Sequence, residues 1–429
     1  MNAVDQSARD AGDGGTTRSR PGGPAALGPP RSLEAKLLRR LLAHLGHPPI
    51  EFVLWNGERV DAAPPGTEIV GRLRIADRGT LYGLISDPQV RFGDAWSEGR
   101  IEIEGDLVQV IEAVFRSVRH AGEQGSGLRR LAGSLHRPRR NTLAGSRENI
   151  HAHYDIGNDF YALWLGETMA YTCAYYPTPE ATLDEAQFAK MHHVCRKLWL
   201  RPGETVVEAG CGWGALALHM ARHYGVKVRA FNISHEQIVF ARERARREGL
   251  ASQVEYIEDD YRNIRGRYDA FVSVGMLEHV GTEHYAGLGR VAAECLPSHG
   301  RGLIHSIGRN RPGRLHPWIE KRIFPGAYPP SLAEMSEIFE PQELSVLDVE
   351  NLRLHYARTL AHWQALFEAN VGRVRTMFDE KFVRMWRLYL AGSIASFTTG
   401  GLQLFQVVFA PQDNNDIPWT RAHLYEPSG

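Results

Sequence analysis

The sequence predicts an α/β fold: a doubly wound, mostly parallel sheet with a late antiparallel strand, preceded by a small α+β domain. Three observations predict it. From Thr205 onward, short apolar runs (VVEAG, VKVRAFNI, VEYIED, YDAFVSVG, RGLIHSIG) alternate with helical stretches such as ALALHMARHY and HEQIVFARERARREG, the pattern of a parallel sheet covered on both faces. The first of those runs ends in the glycine-rich turn GCGWGA, where strand passes into helix. Upstream, strand-like runs broken by Gly, Pro and Asp turns occupy residues 33–120 and form a separate group.

A chain of 429 residues has room for two or three domains and a sizeable core. Fifty basic residues balance fifty acidic ones, so net charge recruits no nucleic-acid partner, and attraction to an anionic surface must come from local clusters. Cys173, Cys195, Cys211 and Cys295 show no CxxC pairing and no metal-like spacing with histidine, which suits reduced thiols and predicts no metal site. No stretch approaches the ~18 uninterrupted apolar residues of a membrane span. Residues 1–31, rich in Gly, Pro, Ala and Ser, read as a disordered tail; they lack an apolar signal region, and Asp5, Asp10 and Asp13 oppose a transit peptide. The expectation is a cytoplasmic protein.

The elements follow in order. LEAKLLRRLLAHL (Leu33–Leu45) has helical apolar spacing with basic residues between, and reads either as a helix packed on its own domain or as a membrane-surface helix. The runs IEFVLWNG, TEIVGRLRIA, TLYGLI and GRIEIEG read as strands, and Asp106 to His120 as a helix, which together make an accessory domain over 33–120. Residues 121–147 form a linker dense in arginine (Arg129, Arg130, Arg137, Arg139, Arg140, Arg147), a solvated face or a contact for lipid phosphates. A catalytic domain then spans 148–429, closed by two strands, LSVLDVENL and LQLFQVVFA, flanking a long helical stretch from Tyr356 to about Leu390.

In VVEAGCGWGALALHMA, Gly210, Gly212 and Gly214 allow a sharp turn and close backbone approach to a ligand. The glycines alone do not choose a cofactor, because GCGWGA also satisfies the dinucleotide pattern. Glu208 two residues earlier makes E-x-G-x-G-x-G, the first motif of class I methyltransferases. A nicotinamide enzyme needs an acid at the end of the second strand to hold a ribose. Here that strand ends Phe231-Asn232-Ile233-Ser234, with no acid, while the third ends Asp259-Asp260-Tyr261, where a contact to adenine belongs. Asp260 also has an ordinary reading as a helix cap.

Five stretches then resemble one family: NIHAHYDIGNDFYALWLGETMAYTCAYY, VVEAGCGWGALALHMA with FNISHEQ, SVGMLEHVG, GLIHSIGRN and HYARTLAHW. From about Asn149 to Pro411 the chain resembles the cyclopropane-fatty-acyl-phospholipid synthases and their mycolic-acid-modifying relatives, class I methyltransferases dependent on S-adenosylmethionine. The resemblance implies methylene transfer to the cis double bond of an unsaturated phospholipid acyl chain, through a carbocation deprotonated by bound bicarbonate. It implies Glu278, His305, Tyr356 and Cys173 at the reacting centre, and a bicarbonate site from these four with the Val274 carbonyl; Cys173 would act through its backbone. It implies S-adenosylmethionine held by Tyr171, Thr172, Glu208, Gly210, Gly212 and Gly214, by Asn232, Ser234 and Gln237, and by Asp260 and Tyr261. Relatives suggest a homodimer, docked peripherally on the inner face of the membrane. Ser393 stands where many members carry cysteine.

Three other readings stay open: a methyl- or methylene-branched product, a conventional O- or N-methyltransferase, and a lipid-surface protein without chemistry. The segment Arg311 to Pro330, rich in aromatic residues and proline, is expected to cover the acyl entrance.

Overall fold

The computed structural model describes residues 31–124 and 156–425. The expected tail up to residue 30, nearly all of the arginine-rich linker and the NIHAHYD stretch lie outside the described residues.

The first part is a four-stranded sheet of β1 (Ile50–Val53), β2 (Arg59–Asp61), β3 (Gly71–Ile75) and β4 (Ile101–Glu104), in the order β2-β1-β3-β4. β1 runs parallel to β3, and the other neighbours are antiparallel. Helices Leu33–His44, Arg78–Ser86, Pro88–Ser97 and Leu107–Gln124 accompany it. Ser32 caps the first helix, which turns Ala35, Leu38 and Leu42 into a core with Phe52, Leu73 and Ile101. Its apolar stripe is therefore spent inside its own domain. TLYGLI is a helix, not the expected strand. Asp77 accepts from the Thr80 amide at 2.9 Å and starts it, and Leu81 and Leu84, three apart, are the side chains it buries.

The second part is built on a seven-stranded sheet: β5 (Thr205–Ala209), β6 (Lys227–Asn232), β7 (Val254–Glu258), β8 (Ala270–Val274), β9 (Arg301–Gly308), β10 (Leu344–Asn351) and β11 (Gln403–Pro411). Its order is β10-β11-β9-β8-β5-β6-β7. Strands β5 to β9 run parallel, while β11 is antiparallel to both β9 and β10. The strand order reverses at β5, and in open α/β sheets ligands bind at such a point, above the strand ends. The long helical stretch is three helices, Arg353–Ala369, Val371–Met377 and Glu380–Thr398. They close an aromatic layer around Trp164, Trp363 and Trp386, each at most 1% exposed. Among the described residues no helix is long and apolar enough to cross a membrane.

The two parts share a polar and aromatic seam. The Trp96 indole donates to the Arg384 carbonyl at 3.0 Å, the Arg384 guanidinium lies 4.2 Å from the Trp96 ring, and Arg322 pairs with Asp94 at 3.0 Å. Trp318, in the segment expected to cover the entrance, packs on Gly93; a β-carbon there would stand 2.4 Å from the indole nitrogen. Gly93→Ala should therefore destabilise the protein by overpacking, by about 1–3 kcal/mol, read as a lower urea midpoint with unchanged slope.

Candidate active site

At the reversal point the end of β5 is tied to its neighbour: the amides of Gly210 and Cys211 both donate to the Phe231 carbonyl, at 2.9 and 3.0 Å. The turn then needs left-handed backbone. Gly210 has φ +85°, and a β-carbon on it would stand 2.8 Å from that of Met276. Gly214 has φ +82°, and its carbonyl accepts from the buried Tyr256 hydroxyl at 2.7 Å. It starts the helix Ala215–Tyr224 from beneath and does not line the cavity.

A cavity opens above this turn. Of the sequence-predicted cofactor residues, Tyr171, Thr172, Glu208, Gly210, Gly212, Asn232 and Gln237 line it, and the predicted anion ligand Val274 is on its wall. Asp260 and Tyr261 line an adjoining recess that shares Gly210, Asn232, Met276 and His279. Asn232 and Gln237 hold each other, amide to carbonyl oxygen at 2.7 Å, and Asn232 also donates to the Gly212 carbonyl at 3.2 Å. Ser234 is set back: its hydroxyl caps the helix His235–Arg247 by accepting from the Gln237 amide. Asp260 combines both readings given above, since it lines the recess while accepting from the Arg262 amide and pairing with its guanidinium at 2.8 Å.

Tyr171 and Thr172 are positioned by the helix Leu183–Lys197, which begins in a capping box of Thr182 and Glu185. From it Gln187 donates to the carbonyls of Ala170 and Thr172, and Lys190 to the Thr172 hydroxyl at 2.8 Å. The Tyr171 ring packs edge-on to Trp164, with its hydroxyl 2.8 Å from that of Tyr389. Among the lining residues that escaped the sequence reading are Lys190, Met276 and His279. Burial pushes the Lys190 ammonium down to about 8 and the Glu208 carboxyl up to about 8.

Of the predicted reacting groups, His305 lies on β9 and Glu278 is tied to the same strand. His305 is 1% exposed, stands opposite Val274 on β8 and opposite Gln406 on β11. The Gln406 amide donates to His305 Nδ1 at 3.0 Å, which leaves the ring proton on Nε2. Glu278, 6% exposed, accepts from the Ile307 amide at 2.5 Å, two residues along the same strand. Its backbone carbonyl accepts from the Tyr328 amide at 2.7 Å, so the segment that packs on Gly93 also touches this carboxylate's loop. Cys173 and Tyr356 meet through Leu352: the Cys173 thiol is 3.9 Å from the Leu352 carbonyl, which also accepts from the Tyr356 amide. The Leu352 amide in turn donates to Leu404, the β11 partner of Ile307. The two pairs are thus about two strand spacings apart, ~10 Å between backbones.

Burial holds the His305 imidazole neutral and pushes the Glu278 carboxyl up to about 7. It also pushes the Cys173 thiol far above its ordinary range, so that sulfur is no nucleophile here. Glu278 Oε2 and His305 Nε2 are buried without a hydrogen-bond partner, an acceptor and a donor held ready beside one strand. Each would satisfy one group of a small oxyanion that carries a proton, the acceptor its O–H and the donor one of its oxygens. The cavity, with its close backbone, aromatic wall and polar far end, fits an adenosyl amino acid.

The family model described as mycolic acid cyclopropane synthetase matches residues 142–407. The chain belongs to that family. This member is a methyltransferase dependent on S-adenosylmethionine, with the class I fold. A second model, a domain of unknown function, matches residues 37–124. A probable fatty acid methyltransferase of Pseudomonas putida is 35% identical over 88% of this chain and 97% of its own. The cyclopropane-fatty-acyl-phospholipid synthase of Escherichia coli K12 is 39% identical over 62% of this chain and 68% of its own. Among solved structures, mycolic acid cyclopropane synthase CmaA1 complexed with SAH and CTAB superposes with a TM-score of 0.59 at 30% identity, covering 62% of this chain and 98% of its own.

Proposed function

We propose that this enzyme adds a methylene group to the cis double bond of unsaturated acyl chains in membrane phospholipids and closes a cyclopropane ring. The observation that carries the proposal is that two buried polar atoms, Glu278 Oε2 and His305 Nε2, have no hydrogen-bond partner, while Val274, opposite His305, and His279, next to Glu278, line the cofactor cavity. A methyltransferase acting on oxygen or nitrogen has no need of such a pair, because its acceptor carries a lone pair. An alkene is a poor nucleophile, and after methyl transfer its carbocation must lose one proton from the added carbon before water reaches it.

S-adenosylmethionine supplies the electrophilic methyl group, and bicarbonate, when bound, supplies the base. The chain's own residues bind, orient and keep dry. Glu278 accepts through Oε2 and so orients a proton on the anion; His305, with Nε2 protonated by virtue of Gln406, donates to one of its oxygens. Tyr356, 8% exposed with its ring centroid 4.6 Å from that of Phe397, would supply the phenol that the family resemblance assigns to the anion. The tryptophan-rich layer around Trp164, Trp363 and Trp386 excludes water and offers ring faces that stabilise a cation.

A second reading is favoured by one observation, the fatty acid methyltransferase that matches across both parts of the chain. In that case the cation takes a hydride from an added reductant such as a reduced nicotinamide, giving a methyl branch, or loses a different proton, giving a methylene branch. One incubation separates the readings. With S-adenosylmethionine, vesicles of cis-unsaturated phospholipid and a reduced nicotinamide as hydride donor, the released fatty acids should gain CH₂ and lose the double bond. A saturated methyl-branched acid, heavier than the cyclopropane by H₂, moves the second reading to first place. No gain, with cofactor shown to bind, points to another acceptor.

A further inference from the structure

The cofactor cavity holds a buried amine and a buried carboxyl that the mechanism above does not use. Lys190 is 2% exposed and Glu208 2% exposed, and both line the cavity. Each lies in the other's field, yet the two form no close ion pair. Lys190 donates to a hydroxyl, that of Thr172, and Glu208 Oε2 has no partner. The contrast on the same helix is Lys197, two turns further along, whose ammonium is paired with Glu350 at 2.7 Å. A buried charge without a counterion is strongly unfavourable, and such groups in cores are paired or bind something charged. Here an amine and a carboxyl, groups that ionise with opposite sign, line the same cavity.

A zwitterion satisfies both at once. We infer that Lys190 reads the α-carboxylate of the cofactor's amino-acid end while Glu208 takes its α-ammonium, so that this pair, and Lys190 in particular, determines specificity for a ligand that carries the complete amino acid. The inference rests on the reading that S-adenosylmethionine occupies this cavity. Three features favour it over a purely structural lysine. The ammonium keeps two donors beyond the one given to Thr172. Thr172 is itself anchored through its carbonyl by Gln187, so Lys190 is not needed to hold that segment. Finally, Glu208 lies near the end of β5, two residues before Gly210, where the backbone lets a ligand come close.

The test is a binding cycle by titration calorimetry at neutral pH, using three ligands and two proteins. The ligands are S-adenosylhomocysteine, its decarboxylated amine, and methylthioadenosine, which lacks the whole amino-acid end. For the native protein, loss of the carboxylate should weaken binding about 10- to 100-fold, the effect of a charge-assisted hydrogen bond. In Lys190→Met the first two ligands should bind within about twofold of each other. Methylthioadenosine should bind both proteins alike, which also reports that the variant is folded. The inference is overturned if the native protein ignores the carboxylate, if the preference survives in Lys190→Met, or if all three ligands weaken equally. In each of those outcomes the native protein still binds S-adenosylhomocysteine and the cofactor reading stands. If the native protein binds none of the three, both fall.

Discussion

Glu278→Gln should lower product formation by about a thousandfold and, against the usual rule for core substitutions, raise thermal stability above neutral pH. Both effects come from the same burial. The carboxyl is pushed from 4.5 up to about 7 because its site is dry. The sign follows from linkage: below pH 4.5 the group is neutral whether folded or unfolded, and as pH rises through about 7 the folded protein must ionise it away from water. That interval converts to about 3 kcal/mol lost by the native protein and spared in the glutamine variant. The amide oxygen of the introduced side chain still accepts from the Ile307 amide, so packing is kept. Melting curves should separate in favour of the variant at pH 8 and converge near pH 4. If the ionised form is the working one, native activity climbs with pH through about 7. A variant that melts lower than native at pH 8, or a flat activity profile between pH 6 and 8, would show that this carboxylate is not a dry, strained acid.

Gly210→Val should abolish cofactor binding, with S-adenosylhomocysteine affinity falling at least ~100-fold. Gly210 has φ +85°, a region that costs a side chain about 1–2 kcal/mol and excludes β-branched residues. The added β-carbon would also stand 2.8 Å from Met276, which lines both the main cavity and the adjoining recess. Relief requires the strand end or the Met276 loop to move, and either movement closes the space above the glycines. Calorimetry checks this, with circular dichroism to confirm that the helices persist. Binding within fivefold of native would mean that the ligand does not approach the Gly210 backbone.

The alternation from Thr205 made the parallel sheet legible because each strand is a short apolar run, and helices such as His235–Arg247 start from their own caps. TLYGLI failed for a local reason: its aromatic and branched residues read as strand, and the Asp77 cap that decides the matter lies three residues before Thr80. Within the candidate site, strand-end positions such as Glu208, Asn232 and Asp260 could be found from the pattern alone. Lys190 could not. In EAQFAKMHH it looks like any helical lysine, and only the packing of its helix over Thr172 reveals a buried face. The link from Cys173 and Tyr356 to β9 was equally invisible, because it runs through the Leu352 and Leu404 backbone and not through side-chain chemistry.

The position of β11 has a consequence for how the protein comes into being. Residues 403–411 lie late in the chain, yet they insert between β9 and β10 and supply the Gln406 amide to His305. While the chain emerges from the ribosome, β5 to β9 can associate first, but β10 has no neighbour in the sheet and His305 has no proton-directing partner. The glycine turn and its crevice are therefore complete before the reacting centre is. A nascent chain can shelter a nucleotide-like ligand before it can commit a lipid to chemistry, and a chain cut short before residue 403 would expose the apolar edge of β9, a surface primed for aggregation.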